Sequence, residues 1–412
     1  MDYRKNIERN LSWFCNSGVM RPSDGSWGTA ERIVIMNKNE AAEKILHNFP
    51  AWTDIDCGVI IEQRRADCCF EVALLHLLAG EMYGNADYSA TGRNILDFLY
   101  CRSGLLNRFN KGFPAACWNW AHTYWWHALW FDDNGWAAAC QLIIGSRWKD
   151  LDDRYSCSQW GMTLAYSLLE AMDRCLDFLQ DGAPLTEKVE SHYDPGKMWS
   201  GAVDLPHWSM PVVAAFLAAD SVRGDERFQQ TAVRIFRNAE KYFDYFSSSE
   251  LSYLAMIAPL AEKAWHDPVF ARVRQMVQVK LEKILETSPD GLPDAEHFEA
   301  PKGRRLADLI YTVNWAFAGF VSLANGASDG ETAGYRDRLA EFLCSIQDES
   351  AAAALNGCWR GMYDMERRCW GGGNCFEGGA GSIYTGWTNA PIALSLLLVS
   401  SGMTWGELLR KK

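Results

Sequence analysis

The stretch LSYLAMIAPLAEKA, Leu251 to Ala264, the turn His266-Asp267-Pro268 and the run FARVRQMVQVKLEKILE, Phe270 to Glu286, together decide the fold. The first half is apolar on nearly every face and rich in small residues, as a helix buried on all sides must be. The second half keeps a charged face, as a helix covering a core from outside must. The two halves make one helical hairpin, with a buried member followed by a half-exposed one.

The same order recurs along the chain. Cys68 to Met82 turns at Gly84-Asn85 into Tyr88 to Tyr100, and Asn134 to Gly145 turns through Asp150 to Arg154 into Ser158 to Leu179. Ser209 to Ala219 turns at Arg223-Gly224-Asp225 into Phe228 to Tyr245, and Leu306 to Ala324 passes a Gly-rich turn into Tyr335 to Ile346. A last apolar helix, Thr388 to Ser400, has no long successor, and the amphipathic Arg4 to Asn16 supplies the missing partner. A repeat of helix pairs sets the architecture. The reading is an all-α protein, an (α/α)6 toroid of six helical hairpins, with residues 1–412 as a single domain. An open α-solenoid is the alternative, and ordinary charged loops in place of capping repeats count against it.

The connections are lopsided. Turns within hairpins are short, whereas Trp52 to Asp67, Leu105 to Asp133, Leu185 to His207, Ser288 to Arg305 and Asp348 to Trp387 are long, and each precedes an inner helix. In a toroid they gather at one mouth, and long loops in a compact fold are usually functional. The stretch Leu105 to Trp136 holds Trp118, Trp120, Tyr124, Trp125, Trp126, Trp130, Phe131 and Trp136. Other mouth loops add Trp52, Trp199, Trp208, Trp359, Trp370 and Trp387. A single Trp is more often a packing residue. This density beside carboxylates points to ligand contact, because flat aromatic faces stack on the C–H faces of sugar rings. Trp120, Trp125, Trp126, Trp136 and Trp387 are the candidates.

Composition narrows the function classes. The 412 residues are 48% hydrophobic and 22% charged, as in folded globular proteins. The 40 basic and 52 acidic residues leave a net charge of −12, which argues against nucleic acid or an anionic membrane as partner. The longest apolar run, Ala390 to Val399, is too short to span a bilayer. Thirteen cysteines, none in a C-x-x-C pair, suit free buried thiols in a reducing compartment. Met1 to Ser17 lacks the apolar core of a signal peptide, so a cytoplasmic location is expected. Nothing in the sequence sets an oligomeric state.

The sharpest motif is Trp130-Phe131-Asp132-Asp133-Asn134-Gly135-Trp136, directly before an inner helix. Glycosidic cleavage usually needs two carboxyl groups, one acid and one nucleophile or base. A helix N-terminus favours ionisation of the nearer acid, while burial among Trp rings raises the pKa of the other. An N-cap would account for one of the two aspartates and leave its neighbour unexplained.

At this motif the chain resembles the six-hairpin glycosidases, most closely the bacterial endo-α-1,6-mannanase family, which carries consecutive aspartates followed by a tryptophan-bearing inner helix. The resemblance implies Asp132 as nucleophile and Asp133 as general acid/base. Tyr311-Thr312-Val313-Asn314-Trp315 is similar to that family's Tyr-Asn-containing inner helix, which adds Asn314. The toroid reading spans the chain, but the motif match covers only these two stretches. Those mannanases are typically exported, and Gly371 to Ala390 has no counterpart in that family. Superfamily membership is therefore a broader expectation than α-mannan as substrate.

Other acids and histidines remain open. Asp67 and Glu71, at the start of the first inner helix after Glu62-Gln63-Arg64-Arg65, bind sugar hydroxyls or pair with the arginines. Glu377, flanked by glycines, is the next catalytic candidate, ahead of Glu296, Glu299, Asp364 and Glu366. His122, His127 and His207 keep acid/base chemistry in view, and His207 is also a substrate-binding candidate. The glycines at 371–373 and 378–381 lack the Lys-Ser/Thr of a phosphate loop, and no cluster has metal-ligand spacing, so no cofactor is expected. The expectation is a glycoside hydrolase acting on an oligosaccharide. The rivals are an unsaturated glycuronyl hydrolase, a toroidal sugar epimerase or isomerase, and a non-catalytic carbohydrate-binding protein.

Overall fold

Helices buried on every side approach each other only as closely as their smallest residues allow. At Gly135 a Cβ would lie 2.6 Å from the backbone of Pro211 and Val212, so glycine lets two inner helices meet backbone to backbone. The computed structural model describes residues 2–36, 46–49, 51–109, 113–123, 129–179, 194, 196–295, 305–324, 330–373 and 379–409. Helix α1 (Arg4–Asn16) is followed by the pairs α2 (Ala66–Tyr83) with α3 (Ala86–Cys101), and α4 (Phe131–Arg147) with α6 (Cys157–Leu179), the short α5 (Lys149–Tyr155) lying between the latter two. Next come α7 (Pro206–Arg223) with α8 (Glu226–Lys241), α9 (Ser248–Ala264) with α10 (Pro268–Thr287), and α11 (Val313–Ala324) with α12 (Gly330–Ile346). The chain then runs through α13 (Ala390–Ser401) and the short α14 (Trp405–Leu409).

Contacts run α2–α4–α7–α9–α11–α13 and back to α2, which closes an inner ring of six helices. Each inner helix also packs on its outer partner, with α1 serving α13. The residues of α2 from Ala66 to Gly80 are all buried, whereas the outer α8 buries only one stripe, including Phe228, Ile235 and Phe236. The (α/α)6 toroid of six hairpins is thus present, including the closing pair. Helix α14 packs against α4, α7 and α11, and Trp405 and Leu409 reach into the barrel axis. Among the described residues no helix is long and apolar enough to cross a membrane, and the cysteines are free thiols.

Three readings of local structure change. The mouth connections are not irregular: β1 (Arg32–Ile35), β2 (Trp52–Ile55), β3 (Gly58–Ile61) and, far along the chain, β9 (Ser382–Tyr384) form an antiparallel sheet in the order β2-β3-β1-β9. Elsewhere β4 (Leu129–Trp130) pairs in parallel with β5 (Trp199–Ser200), and β6 (Leu306–Asp308), β7 (Met362–Asp364) and β8 (Cys369–Trp370) form a three-stranded sheet. The fifth inner helix therefore starts at Val313 instead of Leu306. Asp308 Oδ1 accepts from the N–H groups of Ile310 and Tyr311 at 2.9 and 3.0 Å, and this turn separates strand from helix. The second inner helix starts at Phe131 with Trp130 as its N-cap residue, so Asp132 and Asp133 lie inside the first helical turn and neither is the cap.

Ring closure passes through one side chain. Asn389 Oδ1 accepts from Trp359 N at 2.8 Å and from Asn10 Nδ2 of α1 at 3.0 Å, and its Nδ2 donates to Trp359 O and Tyr384 O at 3.0 and 2.7 Å. Asn389→Ala strands these buried groups and is expected to lower stability by about 2–4 kcal/mol. Urea denaturation measures this, and a loss below about 1 kcal/mol would mean that closure does not depend on the hub.

Candidate active site

A cavity of about 350 Å³ opens where the N-termini of the inner helices converge, and every inner helix or its lead-in supplies a wall. Arg65 precedes α2, Asp132 and Asp133 occupy the first turn of α4, and His207 and Trp208 open α7. Glu250 lies in the first turn of α9, Tyr311 leads into α11, and Tyr384 and Trp387 lead into α13. Strand β1 and its lead-in add Glu31 and Arg32; Phe49, Trp120 and Trp130 complete the aromatic lining.

Arg65 is the centre of a buried ion cluster. Its Nη2 lies 2.7 Å from Asp67 Oδ2 and 2.7 Å from Asp133 Oδ1, its Nε donates to Asp67 Oδ1 at 3.1 Å, and its Nη1 lies 3.3 Å from Glu31 Oε1. Gln63 Nε2 donates to the other Glu31 oxygen at 3.1 Å. The guanidinium carbon is 5.5 Å from the ring centroids of both Trp120 and Trp387. Burial opposes the charge on Arg65, but the Asp133 and Asp67 carboxylates outweigh it and hold the guanidinium well above its ordinary value. Burial pushes the Asp133 carboxyl well above the usual range; Asp67 and Asp132 push it further, and Arg65 pulls against them. Burial likewise raises Glu71 to about 8, with the Asp67 charge adding to it.

Asp132 meets a different neighbour. Its Oδ2 lies 3.4 Å from His207 Nε2, and its buried Oδ1 has no hydrogen-bond partner among the described residues. Burial works against a proton on His207, but the hydrogen bond to Asp132 and the Asp132 and Glu250 charges prevail, so the imidazole pKa lies above its ordinary value. The backbone N–H of His207 donates to Glu250 Oε2, which ties α7 to α9. The imidazole is stacked on Trp387 at 5.5 Å between centroids.

Trp387 itself is held in a costly backbone conformation. It has φ +48°, inside a π-turn over Thr385–Asn389. Three clamps hold it there. Its N–H donates to Glu71 Oε2 at 3.0 Å, its Nε1 to Asp67 Oδ2 at 2.7 Å, and its carbonyl accepts from Asn314 Nδ2. A Cβ on the preceding Gly386 would fall 2.6 Å from Glu71 Oε2, so only glycine fits there.

The candidates chosen from sequence therefore divide. Asp132, Asp133, Trp120, His207 and Trp387 line the cavity together. Asp67 pairs with Arg65 beneath it, and Glu71 and Asn314 clamp the Trp387 backbone. Trp136 lies one turn below the acids, stacked on Trp315 at 5.8 Å, and does not line the cavity. Trp118, Trp199 and Trp359 are core residues. His122 Nδ1 accepts from Arg64 N at 3.0 Å, a structural role. Glu377, Trp125 and Trp126 lie outside the described residues, as do His127, Glu296 and Glu299. Sequence reading missed Glu31, Arg32, Phe49 and Tyr384, which carry no motif. Glu250 was also missed, although its place in the first turn of an inner helix was a usable signal. Among the described residues no group of three or more His, Cys, Asp or Glu is arranged to hold a metal ion.

No protein-family model matches the sequence, and no curated protein does. Solved structures do match. An unsaturated glucuronyl hydrolase from Bacillus sp. GL1 matches with a TM-score of 0.62 at 12% identity, over 99% of both chains. The likeness is one of fold, the toroid of six helical hairpins. D-mannose isomerase matches with a TM-score of 0.59 at 12% identity, over 96% of each chain. An α-1,6-mannanase of Salegentibacter sp. HEL1_6 matches with a TM-score of 0.52 at 10% identity, over 99% of each chain. That structure is of an inactive variant, two consecutive aspartates replaced by asparagine, in complex with α-1,6-mannotriose.

The raised Glu71 carboxyl has a consequence for stability. A carboxyl with a folded pKa near 8 takes up a proton on folding, so its contribution is complete below its unfolded value, 4.5, and is lost as pH rises through about 8. Glu71→Gln keeps an acceptor for Trp387 N and mimics the protonated acid. Thermal melts should show the variant close to the wild type at about pH 5 and more stable at about pH 9. Parallel melting curves for the two proteins across that range would show that Glu71 holds no proton.

Proposed function

We propose that this protein is a glycoside hydrolase that cleaves an oligosaccharide in the cavity at the toroid mouth. The observation that carries this reading is the contrast between two adjacent carboxyl groups. Asp133 sits among other carboxyls with its pKa raised, as a general acid requires. Asp132 faces the His207 imidazole and keeps one oxygen without a partner among the described residues, as a nucleophile or base requires. Asp133 donates its proton to the glycosidic oxygen as the C–O bond breaks. Asp132 then either bonds to the anomeric carbon, forming an ester that water later displaces while giving its proton to Asp133, or takes the proton of a water whose oxygen bonds to that carbon; one water is consumed overall. His207 keeps Asp132 oriented. Trp120, Trp130 and Trp208 line the cavity with aromatic surface for sugar rings. The mannanase variant in which two consecutive aspartates are replaced is inactive, which supports a working role for such a pair.

A second reading is favoured by Arg32. Its guanidinium reaches the cavity beside Tyr384, to whose hydroxyl it donates, and a cation there suits a uronate carboxylate. That would make the substrate an unsaturated uronide, as for the glucuronyl hydrolases, with Asp133 protonating the double bond. A sugar epimerase or isomerase would need acid and base on opposite faces, and His207 is the one histidine among the described cavity residues.

Three readouts separate these activities: new reducing ends, loss of the unsaturated-uronide absorbance, and interconversion of a free sugar without cleavage. For the hydrolase, Asp132→Asn and Asp133→Asn should each stay folded and lose about 10²–10⁴-fold in kcat. Near-normal turnover in either variant would overturn the assignment of that residue.

A further inference from the structure

Asp133 does not face Arg65 alone. The same guanidinium nitrogen, Nη2, lies 2.7 Å from Asp133 Oδ1 and 2.7 Å from Asp67 Oδ2, so the two carboxyl groups meet at one atom. Two carboxylates held at one guanidinium nitrogen repel each other, which favours a single proton on the pair. The question is which residue keeps it when the pair is opened by a substrate. Asp67 accepts three donated hydrogens: two from Arg65, at Nε (3.1 Å) and Nη2 (2.7 Å), and one from the Trp387 indole at 2.7 Å. Hydrogen bonds to a carboxylate favour its charged form. Asp133 accepts a single one of these, from Arg65 Nη2. The donors therefore fix the negative charge on Asp67 and leave the proton on Asp133, which lines the cavity where Asp67 does not.

We propose that Asp67 is a positioning residue: a fixed anion, held by Arg65 and the Trp387 indole, that keeps the proton on Asp133 for transfer into the cavity. The proposal rests on the reading of Asp133 as the acid. Other charged groups surround Asp133. Asp132 shares its helix; Arg65 and Glu71 come from α2 and its lead-in, Glu31 and Arg32 from β1 and its lead-in, His207 from α7 and Glu250 from α9. Glu31 draws charge from Arg65 Nη1, and His207 answers Asp132, so Asp67 is the anion in direct contact with the acid. Trp387 links the same anion to a cavity wall, because the indole that donates to Asp67 is also the ring stacked on His207.

The experiment is a titration of the Asp133 carboxylic acid in the full-length protein by infrared difference spectroscopy. The acid C=O band of Asp133 is isolated by subtracting the spectrum of Asp133→Asn, in the wild-type background and in Asp67→Asn. Removing the neighbouring charge should lower the pH at which this band disappears by roughly one unit or more. With an oligosaccharide that is turned over, the basic limb of the rate profile should move down by the same amount, kcat falling at neutral pH while KM stays within about twofold. A structural role for Asp67 would lower the rate at every pH and leave both midpoints in place, and that result overturns the proposal. If Asp67→Asn does not fold, Asp67→Ser, smaller and also uncharged, is titrated in the same way. A shifted band without turnover of any oligosaccharide would uphold the proton pair and remove the hydrolase reading. Turnover with an unmoved band would do the reverse.

Discussion

A guanidinium withdrawn from water costs several kcal/mol, and its burial is tolerated only where good geometry and further hydrogen bonds offset that cost. Arg65 meets this condition with three carboxyl groups from separate stretches: Glu31 ahead of the first strand, Asp67 in α2 and Asp133 in α4. Two indole faces cover it. None of these acids could be buried so completely without the cation, and the cation could not be buried without them. The N-terminal segment, the first inner helix and the second are thereby held at one point, and the cavity takes its shape from that point.

The toroid supplies what the ion cluster alone does not. Six inner helices present their N-termini to one cavity, and the partial positive charge at each terminus favours nearby anions. Acids can therefore collect there: Glu31, Glu250, Asp132 and Asp133 line the cavity, with Asp67 and Glu71 just beneath. What separates Asp132 from its neighbour in sequence is the helical turn. Successive residues of a helix point about 100° apart, so one acid looks toward His207 on α7 and the other toward Arg65 at the head of α2.

Much of this architecture was legible because burial leaves a direct mark on composition. Inner helices lose their polar face altogether, outer ones keep theirs, and Arg4–Asn16 was bounded to the residue. The strands were not legible. Runs of two to four residues carry no periodicity, and their partners are remote in sequence, as where Arg32 pairs with Tyr384. Leu306 was accordingly read as helix, and the walls made by Glu31, Arg32 and Tyr384 went unseen. The acidic pair could be read from adjacency alone. Trp136 and Asn314 were placed in the mouth because they adjoin its motifs, yet each sits deeper, where side chains meet the barrel interior. Asp67 had two roles open from sequence, and its nearness to Arg65 along the chain could not choose between them.

The short strands at the mouth set how this surface can change over evolutionary time. Leu129 to Trp130 is paired with Trp199 to Ser200, Leu306 to Asp308 with Met362 to Asp364, and Arg65 bridges to Ala121. Each bridge joins segments that lead into different inner helices. An insertion within one such segment would shift its register against its partner, so a change of length there is felt at two inner helices. Changes of length are then tolerated most readily outside the paired stretches, while the stitched bases keep the acids where they are.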